Sequence, residues 1–149
     1  LNDGGFVATW VSYEQDGDNY GIYAQIYNEN RVTIGSEFLV NSYTTSYQNY
    51  PTITTLNNGN FVITWYSNEQ DGSGTGVFAQ IYSANGVVVG GEFQINSYTN
   101  DDQSRPEITA LSDGGFVVVW HSYLQDGSGR GVFAQVFDSA GATVGSEFI

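Results

Sequence analysis

The chain repeats itself at a period of 55 residues, and this constrains its fold more than any other feature. Leu1, Leu56 and Leu111 begin three copies that align without a gap, the third ending at Ile149. Over the stretch that all three share, identical residues stand at Leu56, Gly59, Phe61, Val62, Trp65, Ser67, Gln70, Asp71, Gly72, Gly76, Ala79, Gln80, Gly90, Glu92 and Phe93, numbered in the middle copy. A unit that repeats in this way buries its hydrophobic surface by stacking on its neighbours. The chain therefore reads as one repeat domain, 1–149, made of copies 1–55 and 56–110 and an incomplete copy 111–149.

Within each copy the apolar period is that of strands, and no helical period is present. GNFVITWYS puts Phe61, Ile63 and Trp65 on one face and Val62, Thr64 and Tyr66 on the other. GVFAQIYS puts Val77, Ala79 and Ile81 opposite Phe78, Gln80 and Tyr82. Ala84-Asn85-Gly86 predicts a hairpin turn, because Asn-Gly readily takes the positive φ that tight hairpins need. Gly90-Gly91 predicts a bulge or bend. The cyclic order is PxITxL, GxFVxxW, GVFAQxY, GxEFxxN: four antiparallel strands joined by hairpins, then a longer crossing loop.

Both faces of the two hairpin strands are substantially apolar. A sheet with one wet face would alternate more cleanly. Two buried faces suit a blade sandwiched between other blades. The small aliphatics Val77, Ala79 and Ile81 could receive the aromatics of an adjacent blade. The predicted fold is thus all-β, with four-stranded antiparallel repeats arranged as β-propeller-like blades. A β-trefoil or β-prism with threefold repeat is the alternative.

The run from Phe116 to Phe148, FVVVWHSYLQDGSGRGVFAQVFDSAGATVGSEF, resembles the tandem blade-type repeats of large secreted or surface proteins of bacteria and ciliates. The resemblance covers nearly the whole chain. It implies a β-propeller-like extracellular or cell-surface module with a structural or adhesive role, and no enzyme. Propellers usually close with about 4–8 blades, and three copies fall short. Other copies of the chain, or adjoining repeats of a longer one, are therefore the expected partners, in a ring or a filament. A carbohydrate-binding or calcium-dependent binding module is the alternative function.

Charge narrows the partners further. The chain has three Arg, no Lys and a formal net charge of -13. Such a surface repels phosphate, which argues against nucleic acid, and it attracts cations. There is no Cys, hence no disulfide or thiolate site. No run of about 18 apolar residues exists to insert into a membrane.

The candidate metal ligands lie in the loop after the tryptophan. Glu14, Asp16 and Asp18 alternate in the first copy, and oxygen ligands at such spacing in a Gly-containing loop suit Ca²⁺. The series weakens to Glu69, Asp71 and Ser73, then to Leu124, Asp126 and Ser128. Calcium is thus the one cofactor these residues suggest, with Glu14, Asp16, Asp18, Asp71 and Asp126 as its ligands. The same loop also reads as a plain turn, in which Asp caps backbone N–H groups and Gly supplies positive φ.

Trp10, Trp65 and Trp120 recur in alternating strands and read as core. Gln25, Gln80 and Gln135 read as buried amides bonding the next blade's backbone. His121 is the only His, which disfavours a His-based triad or a zinc site. Glu37, Glu92 and Glu147 recur, as do Asp16, Asp71 and Asp126. Catalysis needs one asymmetric constellation, so recurrence favours scaffold chemistry and no catalytic residue is expected.

Overall fold

The computed structural model describes all residues, Leu1–Ile149. Eleven strands and no helix make up the chain: β1 (Phe6–Tyr13), β2 (Tyr20–Tyr27), β3 (Thr33–Leu39), β4 (Gln48–Thr55), β5 (Phe61–Asn68), β6 (Thr75–Tyr82), β7 (Val88–Gln94), β8 (Gln103–Ala110), β9 (Phe116–Tyr123), β10 (Arg130–Phe137) and β11 (Thr143–Phe148). They form three antiparallel sheets, β1-β2-β3, β4-β5-β6-β7 and β8-β9-β10-β11, which are blades 1, 2 and 3 of a propeller-like stack. The second and third sheets start before the sequence copies do. The PxIT strand that ends one copy is the first strand of the next blade. β4 lies against β1 and β2, and β8 against β4, β5 and β6, so these first strands line the inner side where blades converge.

The two-faced pattern dictates the core. Between blades 1 and 2, Ile22, Ala24 and Ile26 of β2 receive Phe61, Trp65, Phe78 and Tyr82. Between blades 2 and 3, Val77, Ala79 and Ile81 receive Phe116, Trp120, Phe133 and Phe137. Aromatic faces therefore meet aliphatic faces twice in the same sense, as the alternation predicts. Trp65 and Trp120 are wholly buried, and Trp10, which has no blade in front of it, is half-buried. The Tyr82 phenol donates across the first junction to the Val40 carbonyl at 3.2 Å. Burial holds that phenol far above its ordinary pKa, so it stays protonated as a donor.

The bulge at Gly90 is present. Pairing of β6 with β7 shifts register between Ala79 and Ile81, and Gly90 has φ 74°. Gln80 sits opposite the shift. Its amide donates to the Ile81 carbonyl at 2.9 Å and to the Val89 carbonyl at 3.4 Å. Here the expectation is corrected: the buried Gln bonds its own blade, because the bulge leaves carbonyls there that the ladder does not satisfy. Gln25 and Gln135 do the same in their blades.

The β6–β7 turn falls at Ala84-Asn85-Gly86, where the sequence puts it. Gly86 N donates to Ser83 O at 2.9 Å and only Gly86 is left-handed, at φ 78°; Asn85 is not. This is a type I turn followed by a left-handed residue. In blade 1 that last position is Arg31, at φ 65°. A left-handed L-residue costs about 1–2 kcal/mol, only partly offset by the greater unfolded-state freedom of Gly. Arg31→Gly is expected to stabilise the protein by about 0.5–1 kcal/mol, read as a rise in Tm of about 1–4 °C. An unchanged or lower Tm would contradict the strain assigned to this turn.

Two polar devices join the blades. Glu92 accepts from the Gln70 amide of its own blade and from Ser42 N of the preceding crossing loop, the latter at 2.6 Å. Glu147 repeats this with Gln125 and Ser97. The second device is a buried amide pair. Asn96 accepts from Val77 N at 2.7 Å and donates to Tyr98 O at 2.8 Å and Gln103 Oε1 at 3.1 Å. Asn41 and Gln48 are the equivalent pair one blade earlier. The recurrence of Gln and Glu is thus scaffold chemistry.

Candidate functional site

The predicted metal ligands are dispersed by the same loops that carry them. Glu14 faces the Tyr13 phenol and raises its pKa by hydrogen bonding. Asp16 lies against Gly21 and 3.5 Å from the Asn41 amide. Asp18 accepts from Ser46 N at 2.9 Å. Asp71 accepts from Ser73 N at 3.3 Å and from the Gln94 amide at 3.2 Å. Asp126 accepts from Ser128 N at 3.1 Å. The Asp-to-N–H bonds two residues on are those of an Asx turn. No group of three or more His, Cys, Asp or Glu side chains is placed to hold a metal ion.

A cavity of about 260 Å³ opens instead at the mouth of the junction between blades 2 and 3. Blade 2 contributes Tyr50 from β4, Tyr66 from β5 and Thr75 from β6, with Tyr47 from the loop before β4. Blade 3 contributes Ser104 and Arg105 from β8 and Arg130 from β10, with Asp102 just ahead of β8.

Backbone geometry aims these side chains. The pairing of β4 with β5 breaks register between Asn49 and Thr52, and that of β8 with β9 between Ser104 and Glu107. At those breaks Tyr50 and Arg105 adopt φ 54° and 55°, each followed by Pro. Bulges re-aim a side chain, and left-handed backbone at a bulky residue costs of order 1–3 kcal/mol. The two strained residues occupy the same repeat position in successive blades, and they touch: the Arg105 guanidinium lies 5.6 Å from the Tyr50 ring centroid. Tyr50 in turn stacks on Tyr66 at 5.6 Å and 27°, and Tyr47 meets Tyr66 edge-on at 6.1 Å. The result is a stepped aromatic wall with a cation at its end.

Opposite this wall, Asp102 Oδ1 accepts from both the backbone N–H and the hydroxyl of Thr75, each at 3.2 Å. This pins the crossing loop of blade 3 to blade 2 and fixes the mouth of the cleft. Desolvation raises the Tyr66 phenol above its ordinary pKa, with Tyr47 and Tyr50 adding to the shift and Arg105 opposing it. The phenol is therefore a neutral donor at physiological pH. An aromatic platform edged by a carboxylate, a phenol, hydroxyls and guanidinium groups is suited to a ligand with apolar faces and many hydroxyls.

None of the residues lining the cleft is among the recurring ones. Tyr47 corresponds to Asp102, Tyr50 to Arg105 and Asn49 to Ser104. Val11, Tyr66 and His121 correspond, as do Tyr20, Thr75 and Arg130. The residues that recur in all three copies serve the packing, and the cleft is built where the copies differ.

No family model matches the chain, and no curated protein sequence does either. Solved structures do. An endo-arabinase from Bacteroides thetaiotaomicron VPI-5482 superposes with a TM-score of 0.51 at 19% identity, over 85% of this chain and 50% of that one. An endo-1,4-beta-xylanase from the same organism superposes with a TM-score of 0.50 at 13% identity, over 93% of this chain and 58% of that one. The likeness is one of fold. The chain spans about half the length of these enzymes.

That finding corrects the expectation of a non-enzymatic structural or adhesive module. The architecture shared with this chain is one that carries glycan-cleaving enzymes, so repetition of blades gives no ground for excluding catalysis. Sixteen acids are available, and the repeats by themselves single out no pair among them. An asymmetric constellation can be assembled from positions that do not recur.

Proposed function

We propose that this chain is the blade portion of a carbohydrate-active propeller enzyme, acting on a polysaccharide held in the cleft between blades 2 and 3. The observation that carries this reading is the pair of left-handed residues, Tyr50 and Arg105, which aim an aromatic and a cation into one cavity. Strain kept at the same place in successive blades calls for a functional reason. Pyranose and furanose rings stack on aromatic faces while their hydroxyls bond to groups like Asp102, Thr75 and Tyr66. The fold likeness to an endo-arabinase and an endo-xylanase supports the same class of substrate. An extracellular location suits it, since polysaccharides are met outside the cell and the repeat run resembles those of secreted proteins.

Glycoside hydrolysis uses two carboxyl groups on either side of the scissile bond. Asp102 lines the cleft; Glu107, exposed two residues beyond Arg105 on β8, is the one acid on the inner strands β4 and β8 and stands outside the cleft lining. These two are the pair to test. The intact protein is assayed for release of reducing ends from arabinan, xylan and pectic polysaccharides, with binding followed by affinity electrophoresis. At least one substrate should be bound and cleaved. Glu107→Gln should lower the rate by about a hundredfold or more while binding and Tm persist; Asp102→Asn should lower the rate as far and weaken binding as well, because that carboxylate also holds Thr75 at the mouth of the cleft. Neither binding nor cleavage of any polysaccharide would overturn the proposal.

A further inference from the structure

The cleft holds a second signal. The chain carries only three cationic side chains against sixteen acidic ones, and two of the three, Arg105 and Arg130, line this one cavity. They reach it from different strands, β8 and β10, and occupy unrelated repeat positions, where blade 2 has Tyr50 and Thr75. Neither repetition nor folding requires them there. Both side chains are exposed, so they are not held as part of the core.

What the guanidinium groups face also matters. Arg105 packs on the ring of Tyr50, and the nearby carboxylate, Asp102, is engaged by the two Thr75 donors. A guanidinium stacked on an aromatic keeps its planar edge of N–H donors free for a second partner. Two guanidinium groups, one of them stacked, beside a neutral phenol suit an anion, and the fork geometry of arginine suits a carboxylate. In a protein of net charge -13, an anionic ligand is repelled over most of the surface. Its recognition therefore depends on a local concentration of positive charge, and this cavity is where that concentration lies.

We infer that the saccharide bound in this cleft carries a carboxylate, as in a uronic acid residue, which Arg105 and Arg130 recognise while Tyr50 stacks on a sugar ring. This rests on the saccharide reading above and names its substrate class.

The test measures binding to the intact protein by calorimetry, with oligogalacturonate, neutral oligosaccharides of matched length, and a sulfated oligosaccharide. The acidic sugar should bind about tenfold or more tightly than the neutral ones. Arg105→Gln and Arg130→Gln should each abolish most of that preference, with neutral binding retained. Arg31→Gln, which removes the same charge from the turn between β2 and β3, should leave the preference intact. Equal affinity for acidic and neutral sugars would overturn the carboxylate assignment and leave the saccharide reading standing. Tightest binding of the sulfated sugar would also overturn it. A preference lost equally in Arg31→Gln would trace it to net charge and refute the cleft. Failure to bind any saccharide would remove both readings together.

Discussion

Trp65→Ala should destabilise the protein by about 3–5 kcal/mol, whereas Trp10→Ala should cost about 1–2 kcal/mol. The two residues occupy the same repeat position on the same strand of their blades. Trp65 is fully buried between blades 1 and 2, against Ile22, Ala24 and Ile26. Trp10 faces outward on blade 1 and is half-buried. The Trp65 indole nitrogen has no hydrogen-bond partner, so its contribution is packing and burial alone. Removing the ring leaves a cavity in a junction whose walls are strands, which cannot collapse freely. Single domains hold only about 5–15 kcal/mol in total, so the Trp65 variant should unfold at a much lower denaturant midpoint. Equal losses for the two variants would contradict blade-to-blade burial as the source of stability.

Asn96→Ala should cost about 3 kcal/mol, although it removes only a small side chain from a polar site. The substitution strands the Val77 N–H, which is wholly buried on β6, and frees the Tyr98 carbonyl and the Gln103 amide oxygen. Gln103 is itself buried and holds the crossing loop through the Asn100 carbonyl at 2.8 Å. That loop delivers Asp102 to the cleft, so a loss in stability should be joined by weaker saccharide binding. Asn96→Asp keeps the acceptor for Val77 and loses the donors, and should fall between wild type and alanine. Hydrogen exchange provides the local readout, since the Val77 amide should lose protection in the alanine variant before the rest of β6 does. Full protection of that amide would refute the bond assigned to it.

The architecture was legible in the sequence because one physical rule governs it. Strand alternation with both faces apolar implies a stack, and the division into aromatic and aliphatic faces implies which side meets which. The bulge at Gly90 was legible for the same local reason. The partner of Gln80 was not, because a bonding partner depends on which carbonyls a bulge leaves open, and that is settled only by register. The turn at Ala84-Asn85-Gly86 was legible because Asn-Gly marks a hairpin; its type was not, because the pair serves several turn types and hairpin length chooses among them. The cleft was illegible for a different reason. Arg105 and Arg130 belong to different copies, and only the pairing of β8 and β10 on either side of β9 brings them to one end of blade 3, where the tyrosines of blade 2 meet them. A usable signal did exist in the substitutions between copies: Tyr50 against Arg105, and Thr75 against Arg130, are changes that the shared packing does not require.

The directional pairing of faces has a consequence for how such chains grow. A blade that is aromatic on one side and aliphatic on the other matches a duplicate of itself without any compensating change. A new copy inserted in order finds a ready partner before and after it, and a copy that lost this polarity would find none. Gene duplication can therefore lengthen the protein while leaving each junction packed. Innovation is then confined to the mouths of the junctions, where Tyr50, Arg105, Thr75 and Arg130 stand, and where a change of chemistry does not touch the core.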